Sequence, residues 1–174
     1  MPIDVPDHIL ARTCMWAISA SELAESHREW LKTRGEDYSP TVRGLIKQGA
    51  FLPATEYVRA QRVRQKIIGA YEEVMREVEL IAMPTVPFPG WTIGSEEIVI
   101  NGTREGLMGA LTRYCPPFNI TGMPAVAVPN GFSRDGLPLG FQIAGRLFGD
   151  AEVLGAARAY ERATEWHKRR PSIQ

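Results

Sequence analysis

The chain has 174 residues, of which 44% are apolar and 23% are charged, enough for one domain with its own core and too few for two of ordinary size. Its 20 basic residues balance 20 acidic ones, so the charge gives no reason to expect nucleic acid or an anionic membrane as a partner. The sequence contains neither an apolar run close to the ~20 residues of a membrane span nor the basic flank and apolar core of a signal peptide at its first residues.

Three helices are predicted in the first half of the chain. The first begins at Ser19, which fits a capping box with Glu22, and ends at Gly35. A short second helix is expected over 40–48, with a proline in its first turn, where the missing N–H costs nothing. The third helix, over 54–78, is the longest and has an apolar face at helical spacing.

The second half of the chain is predicted to contain short strands. Apolar runs bounded by proline, glycine or turn residues indicate strands at 80–83, 97–100, 125–128 and 140–144. A turn is expected at Asn101-Gly102, and loops at 85–94 and at the pairs Asn130-Gly131 and Asp135-Gly136. Because short, continuous apolar strands need cover on both faces, the pattern predicts an α/β fold.

Two more helices are expected among these strands. Residues 104–114 have a helical pattern and are followed by 116–124, where three prolines and a glycine predict irregular backbone. Asp150 is predicted to cap a last helix that ends before Pro171.

The residues themselves predict no complete active site. Cys14 and Cys115 have no metal or redox spacing and no partner for nucleophilic catalysis, so we expect reduced thiols in a cytoplasmic protein. The serines lie at caps or in loops, outside any G-x-S-x-G elbow. The histidines are scattered and no glycine loop for phosphate or dinucleotide is present, so we predict no metal and no cofactor.

Two neighbouring segments carry a family resemblance. Residues 119–129 (NITGMPAVAVP) and 136–145 (GLPLGFQIAG) resemble the C-terminal hallmark of the amidase-signature family. Residues 83–87 (MPTVP) resemble the family's short strand running into a Pro-Thr turn. Further segments resemble the family's helices after the catalytic core and its final helix and tail: 24–25, 38–43 and 151–171. The resemblance implies that residues 1–174 form a single domain, the C-terminal part of the amidase-signature fold, with a short mixed sheet covered by helices.

The resemblance also implies a reaction, hydrolysis of the carbon–nitrogen bond of a small-molecule amide. The family uses a serine nucleophile, a second serine with a cis peptide and a lysine, which relays the proton to the leaving amine. These residues lie in a Gly/Ser-rich signature of the family's N-terminal half, and this sequence contains no Gly-Gly-Ser-Ser-like run. We therefore expect the catalytic residues to lie outside this chain, which would be inactive alone.

The candidate substrate-binding residues lie before the Asn-x-Thr-Gly motif. By resemblance, the helix preceding this motif faces the acyl side of the substrate. Gly109, Thr112, Arg113 and Pro116 recur at i, i+3, i+4 and i+7, so they would share one face of that helix. The alternative is that this face simply packs against the scaffold.

Two positions separate a general amidase from the glutamine-using transamidase branch of the family. The branch implies an aspartate near Thr112 and an arginine one or two positions after Arg43. This sequence has Thr112, Gly44 and Leu45 at those places, which favours a general amidase.

Two further interpretations remain open, a non-catalytic interaction module and a subunit of a transamidation complex. An adjacent reading frame carrying the Gly/Ser signature would favour the partial amidase. Because part of a large sheet would have open edges and uncovered apolar faces, we expect self-association or a complementing N-terminal chain. The small-molecule amide would bind only once the catalytic part is present.

Overall fold

A computed structural model describes residues 1–170 and divides the chain into two compact units, Met1–Tyr71 and Glu72–Gln174. Pro171, where the last helix was predicted to stop, lies outside the described residues. The prediction of a single domain over 1–174 stays a prediction, and the two units are described separately.

The first unit is helical. It contains the helices α1 Ala11–Ser26, α2 Arg28–Thr33 and α3 Pro40–Ala50, and most of the long helix α4 Ala54–Glu77, which crosses the unit boundary. Two 3-10 turns, at His8–Leu10 and Gly35–Asp37, complete its described elements. The predicted helices at 40–48 and 54–78 are thereby confirmed, with small differences at their ends.

The start of α1 differs from the prediction. The helix begins at Ala11, so Ser19 lies inside it and the capping box with Glu22 is wrong. Cys14 and Ile18 are buried, at 3% and 7% exposure. The N-cap residue, Leu10, makes no side-chain cap bond within the described chain. Packing of the buried side chains therefore stabilises this start of the helix, and such tertiary packing leaves no local signal in the sequence.

Up to residue 170, the second unit contains five strands and three α-helices of its own. They are β1 Ile81–Pro84, β2 Glu97–Ile100, β3 Thr103–Gly106, α5 Leu107–Leu111, α6 Pro116–Thr121, β4 Ala125–Phe132, β5 Pro138–Ala144 and α7 Asp150–Ala163, with a 3-10 turn at Trp166–Lys168. The α/β fold class is confirmed, and the loop predicted at 85–94 contains neither helix nor strand.

The described strands of this unit form two sheets in which every pairing is antiparallel, whereas a mixed sheet was predicted. The larger has the order β1-β5-β4, with Ile81 and Ala125 both opposite Ala144 on the central strand. The smaller sheet is the β2–β3 hairpin. Helix α7 packs against β4 and β5, where Phe141 and Tyr160 meet edge to face with ring centroids 4.9 Å apart.

The hairpin shortens the predicted helix at 104–114. Residues 103–106 pair with β2 across a turn in which Asn101 and Gly102 have φ of 50° and 78°, the backbone of a tight two-residue hairpin loop. The hairpin thus takes up the predicted start of the helix, and α5 also stops at Leu111, so the prediction is wrong at both ends.

Two predicted irregular stretches are regular. Pro116 and Pro117 open helix α6, because a first turn does not use their missing N–H groups, and Gly122 at φ 78° ends it. The pair Asn130-Gly131 lies within β4 rather than in a loop, at a register irregularity after Pro129.

The start of α7 also differs from the prediction. Asp150 is its first helical residue and Gly149 takes the N-cap position, without a side-chain cap bond from the described residues. The carboxylate of Asp150 still lies in the first turn, where it faces the positive end of the helix dipole.

Candidate functional site

The predicted substrate-binding residues gather around the connection between α5 and α6. We name residues 112–115 the α5–α6 connection. Gly109 lies in α5, Thr112 directly follows it, Arg113 lies in the connection, and Pro116 is the buried first residue of α6. Since α5 ends at Leu111, no single helix carries all four residues and the i, i+3, i+4, i+7 geometry is wrong. Their role in binding stays a prediction.

Thr112 is held to the helix before it. Its Oγ1 donates to the carbonyl oxygen of Met108 at 2.9 Å, and its backbone N–H donates to the same oxygen at 3.2 Å. The hydroxyl proton is therefore used within the scaffold, and the oxygen offers lone pairs as an acceptor.

Arg113 is paired with Glu105 of β3. The guanidinium donates a hydrogen bond to the carboxylate, and the two side chains are 35% and 24% exposed. That hydrogen bond raises the pKa of Arg113 above its usual value, although burial acts in the opposite direction. The two charges largely cancel, so this part of the connection presents little net charge.

Gln142 links the connection to the three-stranded sheet. Its side chain is buried, with Nε2 lying 3.1 Å from the carbonyl oxygen of Tyr114 and 3.3 Å from that of Pro84. The sequence alone placed this residue in a motif and gave it no individual role. The signal that could have identified it is a long amide side chain inside an otherwise apolar strand, since such a group must find hydrogen-bond partners when buried.

Thr85 lies where β1 ends, in the Pro-Thr turn. Its N–H donates to the carbonyl oxygen of Gly140 at 3.3 Å, while its buried Oγ1 has no hydrogen-bond partner among residues 1–170. Cys115 Sγ lies 3.9 Å from the carbonyl oxygen of Thr85. The site thus joins the end of β1, the middle of β5 and the α5–α6 connection.

The thiols are poorly suited to be nucleophiles. Burial raises the pKa of both Cys14 and Cys115, which disfavours the reactive thiolate. Cys14 is buried and its Sγ donates to the carbonyl oxygen of Ala60 at 3.1 Å, whereas Cys115 is half-buried. Both are free thiols.

The Asn-x-Thr-Gly motif forms the turn from α6 into β4. Thr121 is buried, and its Oγ1 donates to the carbonyl oxygen of Pro117 at 2.8 Å and accepts from the N–H of Met123 at 3.5 Å. Gly122 follows with the positive φ that the turn requires. These contacts give the motif a structural role.

Within residues 1–170, no cluster of three or more His, Cys, Asp or Glu side chains could hold a metal ion. Over the same residues, no helix is both long enough and apolar enough to cross a membrane.

Comparison with known proteins gives a consistent result. The Amidase family model matches residues 3–154. An amidase of Pseudomonas putida is 36% identical over 159 residues, covering 91% of this chain and 34% of the relative. The A subunit of the glutamyl-tRNA(Gln) amidotransferase of Chloroflexus aggregans is 40% identical over 159 residues, covering 86% of this chain and 31% of the relative. The chain therefore spans about a third of the length of these curated relatives.

Solved structures share the fold. One comes from work on a vestigial protein complex and the evolutionary origins of an s-triazine catabolic enzyme, with a TM-score of 0.85 at 28% identity, over 92% of this chain and 35% of that one. An amidase crystal structure gives a TM-score of 0.82 at 27% identity, over 88% of this chain and 35% of that one.

Proposed function

This chain belongs to the amidase family, and we propose that it forms part of an enzyme that hydrolyses the carbon–nitrogen bond of a small-molecule amide. In this proposal the chain contributes a wall of the substrate pocket. The serine nucleophile, the second serine and the lysine are supplied by residues outside it.

One observation carries the proposal: the family match covers 3–154, yet the sequence has no Gly-Gly-Ser-Ser-like run. The family resemblance puts the nucleophile and its proton relay in such a run. The described thiols do not substitute for it, because burial disfavours their anionic forms. Amide hydrolysis then requires this chain to be combined with the region that carries the signature.

The pocket wall is proposed at Gly109, Thr112, Arg113 and Pro116. The resemblance implies that the segment before the Asn-x-Thr-Gly motif faces the acyl side of the substrate. Thr112 offers a hydroxyl oxygen there, and Arg113 is paired with Glu105. A wall whose charges are already paired suits an uncharged acyl group better than a carboxylate, because a free ion would have to compete with Glu105.

Exposed apolar side chains support a completing chain or a second copy as partner. Ile93 and Phe148 are 98% and 94% exposed in the second unit, and Ile9 and Phe51 are 78% and 85% exposed in the first. Large apolar side chains at such exposure favour burial against another surface.

A role in transamidation is the second candidate. The 40% identity to the amidotransferase of Chloroflexus aggregans favours it. Thr112 and Leu45 stand against it, since the resemblance implies an aspartate and an arginine near these places for glutamine recognition. Glutaminase activity therefore distinguishes the two candidates.

The test combines this chain with a catalytic part. The chain alone is incubated with a panel of small aromatic amides and with a serine-directed fluorophosphonate probe. A chimaera is then made in which it replaces the matching third of the Pseudomonas putida amidase. We expect neither turnover nor labelling for the chain alone, and amide hydrolysis without glutaminase activity for the chimaera. A serine of this chain labelled by the probe would contradict the proposal.

The pocket wall is tested in the same chimaera. Thr112→Val keeps the shape of the side chain and removes its oxygen, so it is expected to change KM across the amide panel more than kcat. Thr33→Val, at an exposed threonine whose Oγ1 likewise donates to the carbonyl oxygen four residues earlier, is the matched control and should leave both constants unchanged. Equal effects of the two variants on KM and kcat would show that Thr112 does not line the pocket.

A further inference from the structure

Gln142 is a buried polar side chain at the centre of the larger sheet. It is 4% exposed and lies opposite Met83 on β1 and Ala127 on β4. Its strand neighbours are Phe141 and Ile143. A carboxamide in such surroundings costs free energy unless its polar atoms are satisfied, so its partners define what it does.

The orientation of this carboxamide follows from its partners. Both groups near Nε2 are main-chain carbonyl oxygens, those of Pro84 and Tyr114, and each can only accept. The amide nitrogen must therefore face them, since the side-chain oxygen in its place would meet two acceptors. The two N–H groups of one nitrogen then each reach a different segment of the chain.

These two segments are far apart in sequence. Pro84 is the last residue of β1, and Tyr114 lies in the α5–α6 connection, which is neither helix nor strand. We propose that Gln142 is a positioning residue whose carboxamide fastens the α5–α6 connection to the end of β1 and so sets the place of Thr112 and Arg113 in the pocket wall. The pocket wall rests on the proposed function, whereas the two hydrogen bonds that join the connection to the end of β1 do not.

The other contacts of the connection cannot supply this link equally well. The backbone bonds of Thr112 and Arg113, at 3.2 and 3.3 Å, return to α5. The ion pair with Glu105 leads to the hairpin, a separate sheet. Cys115 Sγ reaches the same end of β1 at 3.9 Å, but a thiol is a weak donor.

The test is amide hydrogen exchange in the full chain. Gln142→Met preserves the length and volume of the side chain and cannot donate, and Gln142→Glu preserves its shape but places a carboxylate against two carbonyl oxygens. In both variants we expect the amides of Thr112, Arg113 and Thr85 to exchange about tenfold faster or more.

A residue that merely stabilised the fold would give a different pattern. The amide of Val153, which donates to Gly149 at 3.1 Å in the first turn of α7, reports on an element outside the connection and is expected to keep its exchange rate. Gln48→Met, at an exposed position of α3, is the matched control and should change neither the exchange rates in the connection nor that of Val153. Unchanged exchange in the connection, or a uniform rise that includes Val153, would overturn the proposal.

Catalysis gives the second readout. In the chimaera, Gln142→Met is expected to raise KM by a larger factor than it lowers kcat, because a displaced wall weakens substrate binding without touching the nucleophile. The exchange experiment needs no turnover, so it decides the role of Gln142 even where the chimaera fails to hydrolyse amides.

Discussion

Arg113 donates a hydrogen bond to Glu105, and this pair joins the α5–α6 connection to the β2–β3 hairpin. The two side chains are 35% and 24% exposed, so solvent screens the pair only in part. A change of either residue therefore alters the contact between the hairpin and the connection as well as the charge.

The strength of this pair is tested by a double-mutant cycle. Arg113→Met and Glu105→Gln, alone and together, are expected to show a coupling free energy of unfolding of up to about 1 kcal/mol. Urea unfolding at low and high salt measures it, and the coupling should fall as salt rises. The exposed pair Arg104–Glu97 is the matched control, with a smaller coupling. A coupling no larger than that of the control would contradict the structural role of the Glu105 pair.

Burial of Tyr71 predicts that the free energy of unfolding falls at alkaline pH. It is 4% exposed, and burial raises its pKa from the ordinary value of 10.0 to about 12. Above pH 10 the unfolded chain loses the phenolic proton while the folded chain keeps it, so the free energy of unfolding falls until the folded pKa is passed. The full loss is about 2 to 3 kcal/mol.

The measurement is urea unfolding of the wild type and of Tyr71→Phe between pH 8 and pH 12. The variant has no phenolic proton, so its stability should fall less steeply over that range. The thiols share the same sign, since burial raises their pKa too, but they contribute equally to both proteins. Parallel curves for the two proteins would show that Tyr71 ionises as readily in the folded chain.

The sequence predicted helices well where local chemistry determines them. Ser39, whose Oγ accepts from the N–H of Val42 at 3.4 Å, and Pro40 after it mark the start of α3. The start of α1 was missed because Leu10 offers no capping side chain and burial of later residues stabilises the turn. Ser19 and Glu22 have the residue pattern of a capping box, but no helix begins at Ser19.

This contrast gives a prediction on two serines. Ser39→Ala is expected to lower the free energy of unfolding by about 1 kcal/mol, because an orphan N–H of α3 loses its acceptor. Ser19→Ala should be neutral or stabilising by a few tenths of a kcal/mol, roughly the difference in helix propensity at an exposed interior position. Denaturant unfolding of both variants measures the two changes. A loss at Ser19 comparable to that at Ser39 would mean that Ser19 does cap a helix.

The candidate site was less predictable than the fold class. The family resemblance led to Thr112 and Arg113, and spacing alone placed them on one helical face, but α5 ends at Leu111, before both residues, and the β2–β3 hairpin takes up the predicted start of the helix. The sequence predicts a tight turn at Asn101-Gly102 but not the strand after it, because Thr103–Gly106 has no apolar alternation. The role of Gln142 was missed because a long amide in an apolar strand signals only that it needs hydrogen-bond partners, and these partners are backbone carbonyls that no sequence pattern reveals.

Two glycines of α3 are expected to respond oppositely to the same substitution. Gly49 is buried where α3 meets α1, and a Cβ there would overlap the carbonyl oxygen of Ala20 and lie 3.1 Å from Cβ of Ala24. At Gly44, in the same helix, an added Cβ would meet no packing neighbour within 4 Å, and the backbone needs no positive φ. Glycine is thus required at position 49 for close packing, whereas at position 44 it only costs backbone entropy.

Gly49→Ala is therefore expected to lower the free energy of unfolding by about 3 kcal/mol or more, since the overlap is with backbone and α1 must shift to relieve it. Gly44→Ala should raise it by about 0.5 to 1 kcal/mol, because alanine restricts the unfolded chain and favours helix. Thermal and urea unfolding of the matched pair, in one helix and with one methyl group added in each case, measure both signs. Destabilisation of similar size at both positions would mean that α3 does not approach α1 at Gly49.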